Sequence, residues 1–326
     1  MRKNPMTNKP GMYNRENMPD AASVNSPFVP AAATEKRLKL FLWGDSGSGK
    51  TTLALQFPAP AVIDLERGTE LYGKAFKFDV LPASTAKEVI KAVDWLLINP
   101  HSYRTLIIDP ITIFWDALQK QWSDIFLERN QTGKGYKFEY YDMQIKDWNP
   151  VKAELKDFIR KLLALDMNVI ITARQKYMYS KSEAMKVIGE TFDGEKSLPY
   201  MFDTIVHLYR NEGRFMGNVT PSEYIPHVKD RNNMLPNNPE GFEISYALFE
   251  KLFGAEQLTR PAKPQTLITA EQTQTLTGLI AALGLNPVTI KARLENYGAS
   301  MIEELTEVNA QVIIKKLEAA LAKKNQ

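Results

Sequence analysis

Residues 38–52 read LKLFLWGDSGSGKTT. The apolar run Leu38 to Trp43 predicts a strand, followed by a glycine-rich turn and then a helix. The turn fits G-x-x-x-x-G-K-[ST] through Gly44, Asp45, Ser46, Gly47, Ser48, Gly49, Lys50 and Thr51, with Thr52 next. Glycines are needed because the backbone must curl with its N–H groups pointing inward, through torsion angles costly for any residue with a Cβ. The following helix start adds partial positive charge, so the loop is an anion cradle. Lys50 is then expected to reach the outer phosphates of a nucleoside triphosphate, and the Thr51 hydroxyl to hold Mg²⁺. A strand before the loop and a helix after it are the context that separates this motif from a chance glycine-serine stretch.

Composition narrows the rest. The 326 residues leave room for one large domain, or one medium and one small. An apolar share of 44% and a charged share of 24% are those of a globular protein. The net charge of +3 is too small to argue for nucleic acid or an acidic membrane, so any DNA-binding reading rests on local segments. Without cysteine, disulfides and thiolate zinc sites are excluded, and the scattered His101, His207 and His227 argue against a histidine metal site. No apolar run approaches the roughly 20 residues needed to cross a bilayer. The N-terminus carries no apolar signal segment. The expectation is a soluble, cytoplasmic chain with no membrane partner.

Residues 1–36 show no apolar period and read as a disordered arm; the alternative is a segment that docks on a neighbouring subunit. A short helix to Gln56 follows the loop, then a strand from Ala61 to Leu65 with Asp64 and Glu66 at its far end. A strand is expected near Phe76 to Leu81, then a helix from Ala86 to Ile98, opened by the capping box of Thr85 and Glu88. The strand Thr105 to Ile108 closes on Asp109, and helix pattern runs to Arg129. Residues 130–148 read as a loop. Asn149 and Pro150 read as the start of an amphipathic helix that leads to the strand Asn168 to Thr172. Then come a long polar segment, the strand Thr204 to Leu208, a hairpin over 214–229, and a helix from Tyr246 to Phe253 stopped by Gly254. Strands alternating with helices predict a mostly parallel sheet covered on both faces, an α/β domain over 37–254. Ligands of such sheets bind at the carboxyl ends of the strands, where Gly44, Glu66, Asp109 and Thr172 all fall. Residues 255–267, with Pro261 and Pro264, read as a linker. Residues 268–326 read as a small all-α domain, with caps at Thr269 and Thr306 and a short turn opened by Ser300 and Glu303.

Within that frame several residues are candidates for chemistry. Asp109, at the end of a buried strand, is the expected acid partner of the loop, ligating Mg²⁺ or orienting its water. The position after it is Pro110, so the group that orients the attacking water must come from another strand end. Glu66 is the first candidate and Asp64 the second; an ion pair of Glu66 with Arg67 is the competing reading. Thr172, Arg174 and Gln175 follow the next core strand, where a polar side chain can touch the γ-phosphate. Lys229 and Arg231, two apart on an extended segment, suit a phosphate; they are either solvated or complete a neighbouring subunit's site. Two segments interleave basic and aromatic residues, one with Lys134, Tyr136 and Lys137, the other with Lys176, Tyr177, Tyr179 and Lys181. Such segments either bind single-stranded nucleic acid through backbone charge and base stacking or pack back on the sheet.

With GDSGSGKTT, AVIDLERG, TLIIDP, VIITARQK and VKDRNNMLP in order over 37–254, the chain resembles the RecA-like P-loop ATPases of bacteriophages, AAA-family proteins that accompany single-strand annealing proteins. The resemblance implies ATP and Mg²⁺ as ligands, with Lys50 and Thr51 on phosphate and metal. It implies Asp109 as the Walker B acid, Glu66 as the catalytic glutamate, and Lys229 with Arg231 acting across a subunit interface in a ring or filament. It also implies that both aromatic-basic segments occupy DNA-binding positions. Where relatives often carry Gln or His as the sensor, this chain has Arg174 followed by Gln175. The C-terminal helices are similar to small helical tails of phage recombination proteins. The expected function is ATP hydrolysis coupled to single-stranded DNA in recombination or annealing. The rival is a replication-associated loader or helicase-like ATPase acting on a protein partner.

Overall fold

The computed structural model describes residues 36–130, 143–295, 297, 299 and 301–324. Its first half comprises β1 (Lys39–Gly44), α1 (Lys50–Leu55), β2 (Pro60–Asp64), a 3-10 turn (Gly68–Lys74), β3 (Asp79–Pro82), α2 (Ala86–Ile98), β4 (Thr105–Asp109) and α3 (Ile111–Asn130). Next come α4 (Ile145–Ala164), β5 (Asn168–Tyr179), β6 (Val187–Phe192), α5 (Leu198–Met201), β7 (Thr204–Asn211), β8 (Arg214–Asn218), β9 (Lys229–Asp230), β10 (Phe242–Glu243) and α6 (Tyr246–Phe253). After these come α7 (Ala255–Thr259), α8 (Ala270–Leu283), α9 (Pro287–Glu295), a 3-10 turn (Ile302–Glu304) and α10 (Glu307–Lys324).

The parallel strands lie in the order β7-β1-β5-β4-β2-β3, and β8 and β10 extend the β7 edge antiparallel. Leu42 of β1 sits beside both Thr172 of β5 and Val206 of β7. A strand so enclosed is apolar on both faces, which is why it reads as a continuous run. Phe41 and Trp43 enter one cluster with Val89 of α2, Phe114 of α3 and Leu155 and Phe158 of α4. Leu40 and Leu42 enter the opposite one with Leu53 of α1, Phe249 of α6 and Leu258 of α7. Each such fully buried side chain contributes roughly 1.5–3 kcal/mol. β5 separates the acid-bearing β4 from β1. The fold is α/β, mostly parallel, with α8 to α10 as an all-α C-terminal module. Among the described residues no helix is long and apolar enough to cross a membrane.

Several elements differ from the sequence reading. α4 begins at Ile145, where the Asp147 carboxylate accepts from the Gln144 N–H at 2.8 Å, so Asn149 is not the cap and Pro150 lies inside the helix. Proline near the first turn loses only one helical bond, and local pattern reading stops there too early. β3 starts at Asp79; Phe76 and Phe78 pack into the α1-side cluster instead of a strand. β5 does not stop at Thr172 but runs to Tyr179, because β6 pairs with its polar half from Gln175↔Phe192 to Tyr179↔Val187. The expected hairpin at 214–229 is instead β7 with β8, turning at Glu212 and Gly213, both at positive φ (49° and 81°). β9 pairs with the opposite end of β7.

Residues 255–267 are anchored to the sheet rather than running free as a linker. Leu258 is fully buried, its carbonyl accepts from Asn168 Nδ2 at 2.8 Å, and Thr259 O accepts from Arg104 Nε at 2.9 Å. The buried Arg37 guanidinium donates to the carbonyls of Gln257, Arg260 and Pro261 and pairs with Asp166 at 2.9 Å. Its neighbour Lys39 donates to the carbonyls of Leu162, Leu165 and Met167 at the end of α4, at 3.1, 2.8 and 3.0 Å. Three acceptors match the three hydrogens of an ammonium. In the C-terminal helices Thr269 Oγ1 accepts from Gln272 N, and Thr306 Oγ1 from Asn309 N, as the spacing predicts. These helices share a cluster of their own, with Leu276, Leu294, Leu305, Ile314 and Leu317. Ser300, expected to open the short turn, and all of the N-terminal arm except Lys36 lie outside the described residues.

Candidate active site

β1 ends where its neighbour leaves no room for a side chain: a Cβ on Gly44 would stand 2.1 Å from the Leu208 carbonyl oxygen of β7. The chain then curls with Gly47 and Gly49 at φ of 74° and 91°, angles that a Cβ would make costly. Lys50 folds over the loop, its ammonium donating to Gly44 O at 2.9 Å, Asp45 O at 2.7 Å and Ser48 Oγ at 3.3 Å. Burial lowers its pKa, opposed by the charges of Asp109, Asp45 and Glu66. Asp45 Oδ1 accepts from Ser46 N at 2.7 Å and closes the turn.

The acid side is built across three strands. Thr51 Oγ1 donates to Asp109 Oδ2 at 2.6 Å, and Thr172 Oγ1 donates to Asp109 Oδ1. Both carboxylate oxygens therefore have a hydroxyl donor, one from the loop and one from β5. Burial raises the Asp109 pKa, the two threonine hydroxyls pull it back, and the charges of Asp64 and Glu66 push it up further. Glu66 faces the same rim, where Arg174 Nε donates to its Oε1 at 2.8 Å. The partner of Glu66 is thus Arg174 from another strand, not the adjacent Arg67. Asp64 does different work. Its carboxylate accepts from the N–H groups of Glu66 (3.0 Å), Gly68 (3.3 Å) and Thr69 (2.8 Å) and from the Thr69 hydroxyl. Burial raises its pKa but these bonds outweigh it, and the net shift is downward. Because β2 ends at Asp64, the two acids do not share a strand face: one holds the turn, the other faces the loop.

Past Thr172 the side chains of β5 alternate between two neighbourhoods. Gln175 Oε1 is 3.0 Å from His207 Nε2, and the His207 ring stacks on Trp43 at 4.2 Å between centroids. Burial, with the charge of Lys50 adding to it, pushes the His207 pKa down to about 4, so the ring is neutral. Lys176 pairs with Asp193 at 2.9 Å, while Asp193 N donates to Arg174 O and the Thr112 hydroxyl donates to Asp193 O. Tyr177 and Tyr179, both on the β5 strand of the β5–β6 hairpin, are about half exposed, and Lys181 is exposed at its turn. This second aromatic-basic segment is therefore a strand pair and not a loop. The first, with Lys134, Tyr136 and Lys137, lies outside the described residues.

Lys229 and Arg231 do not join the cluster. They sit at the start of β7, where Lys229 pairs with Ile205, whereas Gly44 lies beside Leu208, further along the strand. Lys229 Nζ donates to Pro199 O at 2.6 Å and Arg231 pairs with Asp203 at 2.7 Å. Thr112, Asp193 and His207 belong to the site's surroundings without having been singled out from sequence. Only His207 carried a signal, as a polar residue in an apolar strand beside the loop. Among the described residues no group of three or more His, Asp or Glu could hold a metal on its own. The donors that fit Mg²⁺ are hard oxygens, Thr51 Oγ1 and the Asp109 carboxylate, an arrangement in which phosphates and water complete the shell.

A family model described as an AAA domain matches residues 36–234. Among solved structures, that of the RadB recombinase is similar at 20% identity with a TM-score of 0.32, over 59% of this chain and 90% of that one. No curated protein matches the chain.

Proposed function

The chain belongs to the AAA-domain family, and from that premise we propose that it binds ATP with Mg²⁺ and hydrolyses it in support of phage DNA recombination or strand annealing. The observation that carries this reading is the run of hydroxyl, carboxylate and hydroxyl through Thr51, Asp109 and Thr172, beside the loop that holds Lys50. In this reading Lys50 exchanges the carbonyls of Gly44 and Asp45 for the outer phosphates, and the loop from Gly44 to Thr52 wraps them with backbone N–H groups. Mg²⁺, when bound, supplies positive charge to the phosphates, and Thr51 with Asp109 would hold it. Glu66 orients the attacking water once its partner lets go. Arg174 is the group able to exchange a carboxylate for a γ-phosphate, since its guanidinium fork suits either.

Single-stranded DNA would lie along the β5–β6 hairpin, with bases on Tyr177 and Tyr179 and backbone charge met by Lys181. Lys176 reaches that surface only by leaving Asp193. Lys229 and Arg231 stand too far along β7 to serve their own loop, which supports a role at a neighbour's site in a ring or filament. The host cytoplasm is the expected location.

An ATPase assay with and without single-stranded DNA tests the reading. Hydrolysis that DNA stimulates, and that Lys50→Ala lowers at least about a hundredfold, is the expected result. Stimulation only by a protein partner would favour a loader, and full activity in Lys50→Ala would sink the assignment of the loop.

A further inference from the structure

Beside the phosphate loop lies a cavity of about 320 Å³, outside the cluster of Lys50, Asp109 and Glu66. One wall is the loop and α1, with Gly49, Thr52 and Gln56; the other is β8 and β10, with Arg214, Phe215 and Glu243. We propose that this cavity receives the purine and ribose of the bound nucleoside triphosphate, with Phe215 as the stacking surface. The proposal rests on the triphosphate reading of the loop.

Gly49 belongs to both the phosphate cradle and the cavity wall, so a ligand with phosphates in the one has its nucleoside beside the other. The cavity has the volume of a small-molecule site and suits one nucleoside rather than a polymer. Phe215 is built against the loop itself. A Cβ on Gly49 would stand 2.6 Å from Phe215 Cδ1, so the absence of a side chain at Gly49 is what lets the ring approach. Yet 37% of Phe215 stays exposed, leaving a large aromatic surface open beside a polar loop. The Arg210 guanidinium lies 4.8 Å from the ring centroid, a cation–π contact that holds the ring in place. The residue after β10 ties the same wall together, with Ile244 N donating to Phe215 O at 3.0 Å.

The polar groups of the cavity have complementary chemistry. The Glu243 side chain offers acceptor oxygens, which suit the N–H groups of a purine or the ribose hydroxyls; Arg214 only donates, which suits ring nitrogens and the innermost phosphate. A purine covers more of the ring than a pyrimidine does, so stacking favours ATP and GTP over UTP and CTP. Inorganic tripolyphosphate, which has no nucleoside, would use the loop alone.

Calorimetric titration of the full chain with Mg²⁺ and ATP, GTP, UTP or inorganic tripolyphosphate decides the matter. Phe215→Ala is expected to weaken ATP and GTP binding about tenfold and to leave tripolyphosphate affinity unchanged, while Phe215→Trp restores ATP binding. Equal ATP affinity in Phe215→Ala and the parent chain would overturn the cavity assignment and leave the loop reading standing. An equal loss of ATP and tripolyphosphate would also overturn it, since the ring would then only brace the loop. A parent chain that binds neither ligand would refute the triphosphate reading itself.

Discussion

Replacing Thr172 by valine isolates one bond of the proposed acid site. Thr172 is fully buried, and its hydroxyl donates to Asp109 Oδ1 while Thr51 covers Oδ2 at 2.6 Å. Valine keeps the shape and replaces the hydroxyl with a methyl, so one oxygen of a buried carboxylate loses its donor. A hydrogen bond to a charged group is worth about 1.5–3 kcal/mol, against about 0.5–1.5 for a neutral one. Burial already raises the Asp109 pKa, and the threonine hydroxyls oppose it, so the variant's folded pKa rises further. A carboxyl whose folded pKa lies above its unfolded one contributes full stability below the unfolded value and loses it as pH rises through the folded value. The variant's deficit must therefore grow with pH. We expect about 2 kcal/mol at pH 7.5 and about 1 kcal/mol near pH 4. Urea unfolding followed by tryptophan fluorescence reads both, because Trp43 lies in the core beside this rim. A deficit under about 0.5 kcal/mol at pH 7.5, or the same deficit at both pH values, would refute the argument. Thr172→Ser should recover most of the loss.

Gly44→Ala should cost about 3 kcal/mol, because its Cβ meets the backbone carbonyl of Leu208, and Gly47→Ala only about 1–2 kcal/mol, because space is open there and only φ is unfavourable; urea midpoints give the order. Burial pushes the Lys39 pKa down to about 7, below its unfolded value, so the cost of holding its charge is full below pH 7 and relieved as pH rises toward 10. Stability from this group should rise on the order of 2 kcal/mol over that window, and Lys39→Met should remove that rise in unfolding curves at pH 7 and 9.5. The double change Tyr177→Ala with Tyr179→Ala should weaken single-stranded DNA binding by about 2–4 kcal/mol while ATP binding holds; fluorescence anisotropy with a labelled oligonucleotide measures the first, and unchanged DNA affinity would remove the hairpin from the interface.

What the chain's own order of residues determined was whatever depends on near neighbours. The phosphate loop is legible because its glycines answer to backbone torsion within six residues, and the ammonium of Lys50 returns to Gly44 in the same turn. The capping boxes at Thr85 and Thr269 each need only a partner three residues on, and both form as spaced. The apolar runs likewise announced a sheet covered on both faces. What only tertiary structure decided were the partners chosen across the sheet. Glu66 meets Arg174 from 108 residues away rather than Arg67 beside it, because β4 alone separates the strands that carry them. Asp64 turned from candidate acid into turn anchor because β2 stops there, and the freed N–H groups need an acceptor. The polar half of β5 became a strand because β6 came back to pair with it. Backbone hydrogen bonds must be met by something, and which segment meets them is a fact about the folded molecule that no local pattern contains.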